Sequence, residues 1–190
     1  FPSHDRGEEF HDVDASGIVS FHAEKNRLEL IPSNSGAQPI VTAVLFDAYN
    51  STGGTSVTSS STELTIDTER INTHPDIYSL DSDQVTIHMS GVYEIEYRAT
   101  LNNDTGSTRT TSRAQLDRQD PGGSFTEVTA SRSFGYNRNN TTGRDSLNAK
   151  VILENIAPDT KFRVSALIVA GATTLNQIPN ATSMTIKKLA

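Results

Sequence analysis

Apolar and polar residues alternate most cleanly in SGVYEIEYRATL, residues 90–101. Gly91, Tyr93, Ile95, Tyr97, Ala99 and Leu101 form one set. Ser90, Val92, Glu94, Glu96, Arg98 and Thr100 form the other. A period of two sends the sets to opposite faces and predicts a half-buried β-strand. The same reading predicts further strands over IVTAVLFDAY (40–49), ELTIDTERI (63–71), DQVTIHM (83–89), TRTTSRAQLDR (108–118) and TEVTASRSFGY (126–136). LNAKVILENI (147–156), KFRVSALIVA (161–170) and SMTIKKL (183–189) complete the set. Ser112, Ala114 and Leu116 share one face, as do Leu147, Ala149, Val151 and Leu153. The intervening NSTGGTSVTSSST, NNDTGS, QDPGGS, NRNNTTGRD, APDT and GATTLNQIPNAT read as turns and loops, rich in the residues that turns favour. Short strands without βαβ alternation predict an all-β sandwich or barrel of about ten strands.

The amino-terminal part is different. Residues 1–17, FPSHDRGEEFHDVDASG, are polar, acidic and almost aperiodic, which predicts an arm or linker. IVSFHAEKNRLELI follows, with Val19, Phe21 and Ala23, then Leu28 and Leu30, alternating about Glu24–Asn26. This predicts a hairpin. PSNSGAQP, residues 32–39, marks the boundary. The expected organisation is an arm with a hairpin over 1–39 and a β-sandwich over 40–190.

Composition narrows the function. Hydrophobic residues make up 34% of the 190, with no Trp and no Cys, and the formal net charge is −7. Mean hydropathy is −0.44. Disulfides and Cys-ligated zinc are therefore excluded. The acidic balance argues against nucleic acid, whose phosphates need clustered Lys and Arg. No run of about eighteen apolar residues is present, so no membrane-inserted helix is expected. The chain begins at Phe1, with no signal-peptide pattern after it, and reads as a processed product or a piece of something longer.

Catalytic equipment is not visible. His11, Asp12 and Asp14 have metal-ligating chemistry, but nothing fixes them in space, and a solvated arm is the simpler reading. His88 shares the polar face of its strand with Thr86 and Ser90 and reads as a surface histidine. No Gly-x-Ser-x-Gly elbow exposes a nucleophile, and STGG and DPGG are better explained as turns. Glu94 and Glu96 lie about 7 Å apart on one strand face rather than across a cleft, so a glycosidase pair is not formed. They read as solvent-facing charges or interface ion-pair partners. No enzyme, metal or cofactor is expected. Sequons at Asn50, Asn103, Asn139, Asn140 and Asn180 matter only in a glycosylating pathway. Asn137, Arg138, Asn139, Asn140 and Arg144, held between two strong strands, are the candidate binding loop and are expected to be exposed.

The stretch SLDSDQVTIHMSGVYEIEYRATL resembles the central signature of the C1q/TNF-like jelly-roll family, in which Gly-x-Tyr opens an alternating strand. The upstream AVLFDAYN and LTIDTERINTHPDIYSL and the closing SMTIKKL extend the resemblance over about residues 40–190. The downstream half is most similar to versions of this domain in bacteriophage virion proteins and bacterial surface proteins. The resemblance implies a jelly roll assembled as a homotrimer, with the strand at 91–101 in the inner sheet facing the threefold axis. Tyr93, Ile95 and Tyr97 become trimer or core candidates. It further implies a virion surface location, as a knob on a tail fibre or as a capsid decoration, attached to other virion proteins through the arm and presenting loops to a host surface glycan or protein. The alternative is a bacterial surface or secreted C1q-like adhesin.

Overall fold

The computed structural model describes the backbone of residues 11–14, 17–22 and 27–31, and full residues over 44–103, 108–138, 143–171 and 174–190. Two compact units divide between Thr42 and Ala43. No helix occurs among the described residues.

The first unit contains β1 (His11–Asp14), β2 (Gly17–His22) and β3 (Arg27–Ile31) as one antiparallel sheet in that order. The expected hairpin is present, with Ile18 opposite Ile31 and His22 opposite Arg27. Within the expected arm or linker before it, residues 11–14 form a strand. HDVD forms β1 and pairs with β2, His11 opposite Ser20. Its sequence lacks alternation because backbone pairing to a neighbour needs no particular side chains. The boundary expected at residues 32–39 lies outside the described residues.

The second unit contains β4 (Leu45–Tyr49), β5 (Ser56–Val57), β6 (Thr62–Glu63), β7 (Thr68–Asn72), β8 (Tyr78–Asp81), β9 (Gln84–Ile87) and β10 (Gly91–Asn102). It continues with β11 (Thr110–Gln119), β12 (Thr126–Glu127), β13 (Ser133–Asn137), β14 (Arg144–Ile156), β15 (Thr160–Ala170), β16 (Leu175–Gln177) and β17 (Ser183–Lys188). Among the described residues ten strands remain when β5, β6, β12 and β16, of two or three residues each, are set aside. One sheet runs β7-β4-β17-β10-β14, and the other runs β8-β9-β15-β11-β13. All pairings are antiparallel, as in a jelly-roll sandwich.

The core follows the alternation. Tyr93, Ile95, Tyr97, Ala99 and Leu101 of β10 are each at most 2% exposed. They meet Ala114 and Leu116 of β11 and Phe162, Val164 and Ala166 of β15 in one apolar cluster. Buried tyrosines need partners for their hydroxyls. Tyr93 donates to Met89 O at 2.6 Å and Tyr97 to Ser131 O at 2.7 Å. The rings of Phe46 and Tyr93 flank Tyr78 at 5.7 and 6.3 Å, so aromatic contacts tie the two sheets together. Gly91 opens β10 where the Ala190 carbonyl passes so closely that a Cβ would collide with it. That contact gives the Gly-x-Tyr signature a physical reason.

Two strand expectations are corrected. ELTIDTERI is not one strand. β6 pairs with β15 in the second sheet and β7 with β4 in the first, while Leu64 and Ile66 between them fill the core. The segment crosses from one layer to the other. TEVTASRSFGY is likewise broken into β12 and β13. Ala130 adopts a left-handed φ of 62°, and Ser131 is fully buried.

Candidate functional site

Three surfaces of the second unit carry chemistry. The first is the outward face of the β7-β4-β17-β10-β14 sheet. Glu94, Glu96 and Arg98 of β10 face outward between the flanking strands. Glu94 stands opposite Ile152 and Lys187, Glu96 opposite Lys150 and Thr185, and Arg98 opposite Asn148 and Ser183. Lys150 Nζ lies 3.4 Å from Glu94 and 3.6 Å from Glu96, and Lys187 Nζ lies 3.5 Å from Glu94. Desolvation pushes the Glu94 carboxyl up, but hydrogen bonds and charge from Lys150 and Lys187 outweigh it and hold the group below its ordinary value. Further across, Asp47 takes Arg70 at 2.7 Å and the Thr185 hydroxyl at 2.7 Å. Beside this pair opens a cleft of about 480 Å³ lined by Tyr49, Arg70, Arg98, Asn180 and Ser183. Arg98 is exposed there and makes no ion pair among the described residues.

The second surface is the edge of the sandwich where β13 and β14 run side by side. Phe134 and Tyr136 are 62% and 49% exposed. The free side of β13 is closed by β14 side chains: the Tyr136 N–H donates to the Asp145 carboxylate. Gly135 makes this possible, since a Cβ there would lie 2.6 Å from Asp145 Oδ2.

The candidate loop follows β13. Arg138 and Arg144 are exposed, whereas Asn139 and Asn140 lie outside the described residues. The expectation that Asn137 is exposed is corrected. It is fully buried, and its amide donates to Leu101 O at 2.9 Å and Gly143 O at 3.1 Å. Its amide thereby joins the end of β10 to the residue that precedes β14. Asn50 and Asn103 are also fully buried, so neither sequon is accessible in the folded unit. Tyr93, Ile95 and Tyr97 lie in the core between the sheets rather than on the outward face.

The third surface was missed by the sequence reading. On the outward face of the other sheet, Ser79 Oγ lies 2.9 Å from His88 Nε2, and His88 Nδ1 lies 2.7 Å from Asp159 Oδ1. Ser79 belongs to β8, His88 follows β9, and Asp159 sits in the β14–β15 turn at a φ of 62°. The segments are 9 and 71 residues apart, so no motif could link them. Only the position of His88 on a polar strand face was legible. Among the described residues no group of three His, Asp or Glu side chains is placed to hold a metal ion.

No family model and no curated protein matches the chain. Solved structures do. The crystal structure of murine APRIL at pH 5.0 matches with a TM-score of 0.54 and 15% identity, covering 78% of this chain and 100% of that one. Eiger TNF from S. frugiperda matches with a TM-score of 0.55 and 15% identity over 78% of this chain and 93% of that one. The globular domain of zebrafish complement 1qA protein matches with a TM-score of 0.50 and 10% identity over 77% and 97%. At such identities the likeness concerns the fold: the sandwich is a jelly roll of the TNF/C1q type.

Proposed function

We propose that the chain is the subunit of a homotrimeric surface module that works by binding. The observation that carries this is the apolar edge. Phe134 and Tyr136 share the outward side of β13 and stand about half or more exposed. Contiguous exposed apolar groups on a rigid sheet are the mark of an association surface. A chain without Cys gains stability when partner subunits bury such a surface. The outward face of the β10 sheet, with its charge ladder and open cleft, is the complementary surface that a neighbouring copy would cover. Two different patches on one chain make a head-to-tail contact, which closes into a ring.

Within this reading the trimer is a knob on a phage fibre or capsid, displayed at the virion surface. Residues 1–39 attach it to other virion proteins, and Arg138 and Arg144 belong to the loop that meets a host surface glycan or protein. The support is the sequence resemblance and the exposure of those two arginines. Light scattering at micromolar concentration should report three times the 20.6 kDa chain mass. Replacing Phe134 and Tyr136 together by Glu should give folded monomer. A parent protein that runs as a clean monomer sinks the trimer. Attachment to host cells unchanged by Arg138→Ala with Arg144→Ala moves the role to capsid decoration.

A further inference from the structure

The chain of hydrogen bonds through Ser79, His88 and Asp159 has a direction. An ionised carboxylate only accepts, so the proton between Asp159 and His88 belongs to Nδ1. In the neutral ring Nε2 is then an acceptor, and the Ser79 hydroxyl donates to it. This order of groups is what activates a hydroxyl for attack: a base within hydrogen-bond reach, itself oriented by a third group. The assembly is accessible, with the His88 side chain 37% exposed and Asp159 71% exposed. A cation is at hand. Lys161 stands in the same rung as Ser79, through Thr86 between them, on the same outward face. Two strand spacings are about 10 Å, within reach of a flexible lysine chain. Lys161 makes no ion pair among the described residues, so its charge is available.

We propose that Ser79, His88 and Asp159 form a nucleophilic site that hydrolyses small, solvent-exposed carboxylic esters, with Lys161 facing the oxyanion. The idea goes beyond the binding role and does not depend on it. Ser79 Oγ attacks the ester carbonyl carbon while its proton passes to His88 Nε2. The bond to the leaving oxygen breaks, and His88 returns the proton to that oxygen, which departs as the alcohol. Water then attacks the acyl-Ser79 carbonyl, gives its proton to His88, and releases the carboxylic acid with Ser79 restored. Asp159 keeps Nδ1 protonated and stabilises the imidazolium that forms in each half. The site lies on an open sheet face, which suits a small acyl group over a large one.

The test uses the full chain and two probes. Incubation with p-nitrophenyl acetate should release p-nitrophenol faster than buffer does. Peptide mapping should then place one acetyl group, or one fluorophosphonate label, on Ser79. His88→Ala should slow release at least about 100-fold, the span assigned to a positioned base. Ser79→Ala should abolish labelling, Lys161→Ala should slow acylation without moving the label, and Asp159→Asn should give a smaller loss. Failure of the parent protein to label at Ser79 overturns the proposal, whatever the variants do. So does acetylation spread over lysines and unaffected by Ser79→Ala. Either result leaves the three side chains as a strut between β8 and the β14–β15 turn.

Discussion

β10 and the segment from Thr126 to Asn137 are equal in length, and they behave differently. β10 runs unbroken for twelve residues with a ladder on both sides, β17 and β14. Its alternation is complete: one set of side chains fills the core and the other forms the Glu94–Lys150–Glu96 ladder. The later segment is broken at Ala130 and Ser131, and its two strands pair with different parts of β11. The break has a purpose that Tyr97 makes visible. Its hydroxyl donates to Ser131 O, so the bend serves the polar end of a ring that belongs to β10. A strand with neighbours on both sides is dictated by its own pattern. A bend is dictated by what it must reach.

The largest test of this contrast removes the ring that joins the two regions. Tyr97→Ala should destabilise the unit by about 3–5 kcal/mol, from lost burial and the cavity left behind. Urea unfolding followed by tyrosine fluorescence measures it. A loss below about 1 kcal/mol would mean that β10 does not organise the core.

Ser131→Ala comes next. Ser131 Oγ accepts the Leu116 N–H at 3.0 Å and donates to Val128 O at 2.8 Å. Its removal takes the side-chain acceptor from the buried Leu116 N–H, at a cost of about 1–3 kcal/mol. Hydrogen exchange should show the Leu116 amide losing protection while the β10 amides keep theirs. Equal loss in both would show that the bend and the strand are one cooperative piece.

The smallest effect belongs to the outward set of β10. Glu94→Gln should change stability less than either core variant, because exposed ion pairs contribute little. The pH dependence is more informative. The folded Glu94 carboxyl titrates below its ordinary value, so its contribution is present above the unfolded value and is lost as pH falls through the folded one. Glu94→Gln should remove that part of the acid limb, and thermal melts from neutral pH into the acid range would show it. An unchanged acid limb would mean that the Lys150 and Lys187 contacts do not persist in solution.

Much of the architecture was legible. Alternation identified which residues of β10, β14, β15 and β17 face inward, because one sheet face excludes water and the other does not. The break in TEVTASRSFGY was not legible, since Ala carries no turn signal and its left-handed φ is imposed by the Ser131 contacts. The short strand β8 was missed because only Tyr78 and Leu80 mark it, too few to show a period. Of the candidate loop, Arg138 and Arg144 lie exposed as their charge suggested, while Asn137 was misjudged. An amide is equally at home in water or against buried carbonyls, and its composition does not distinguish the two.

Local pattern and composition were enough for the all-β class, the inward face of the long strands and the absence of disulfides. Each is a property of neighbours along the chain or of composition. The tertiary structure alone decided that Leu64 and Ile66 bridge two layers, that Asn137 closes the gap between β10 and β14, and that Ser79, His88 and Asp159 meet. These depend on contacts between segments far apart in sequence, made by single polar side chains. Such contacts leave no period for a local pattern to record, because a hydrogen bond is specified by position in space rather than by repetition along the chain.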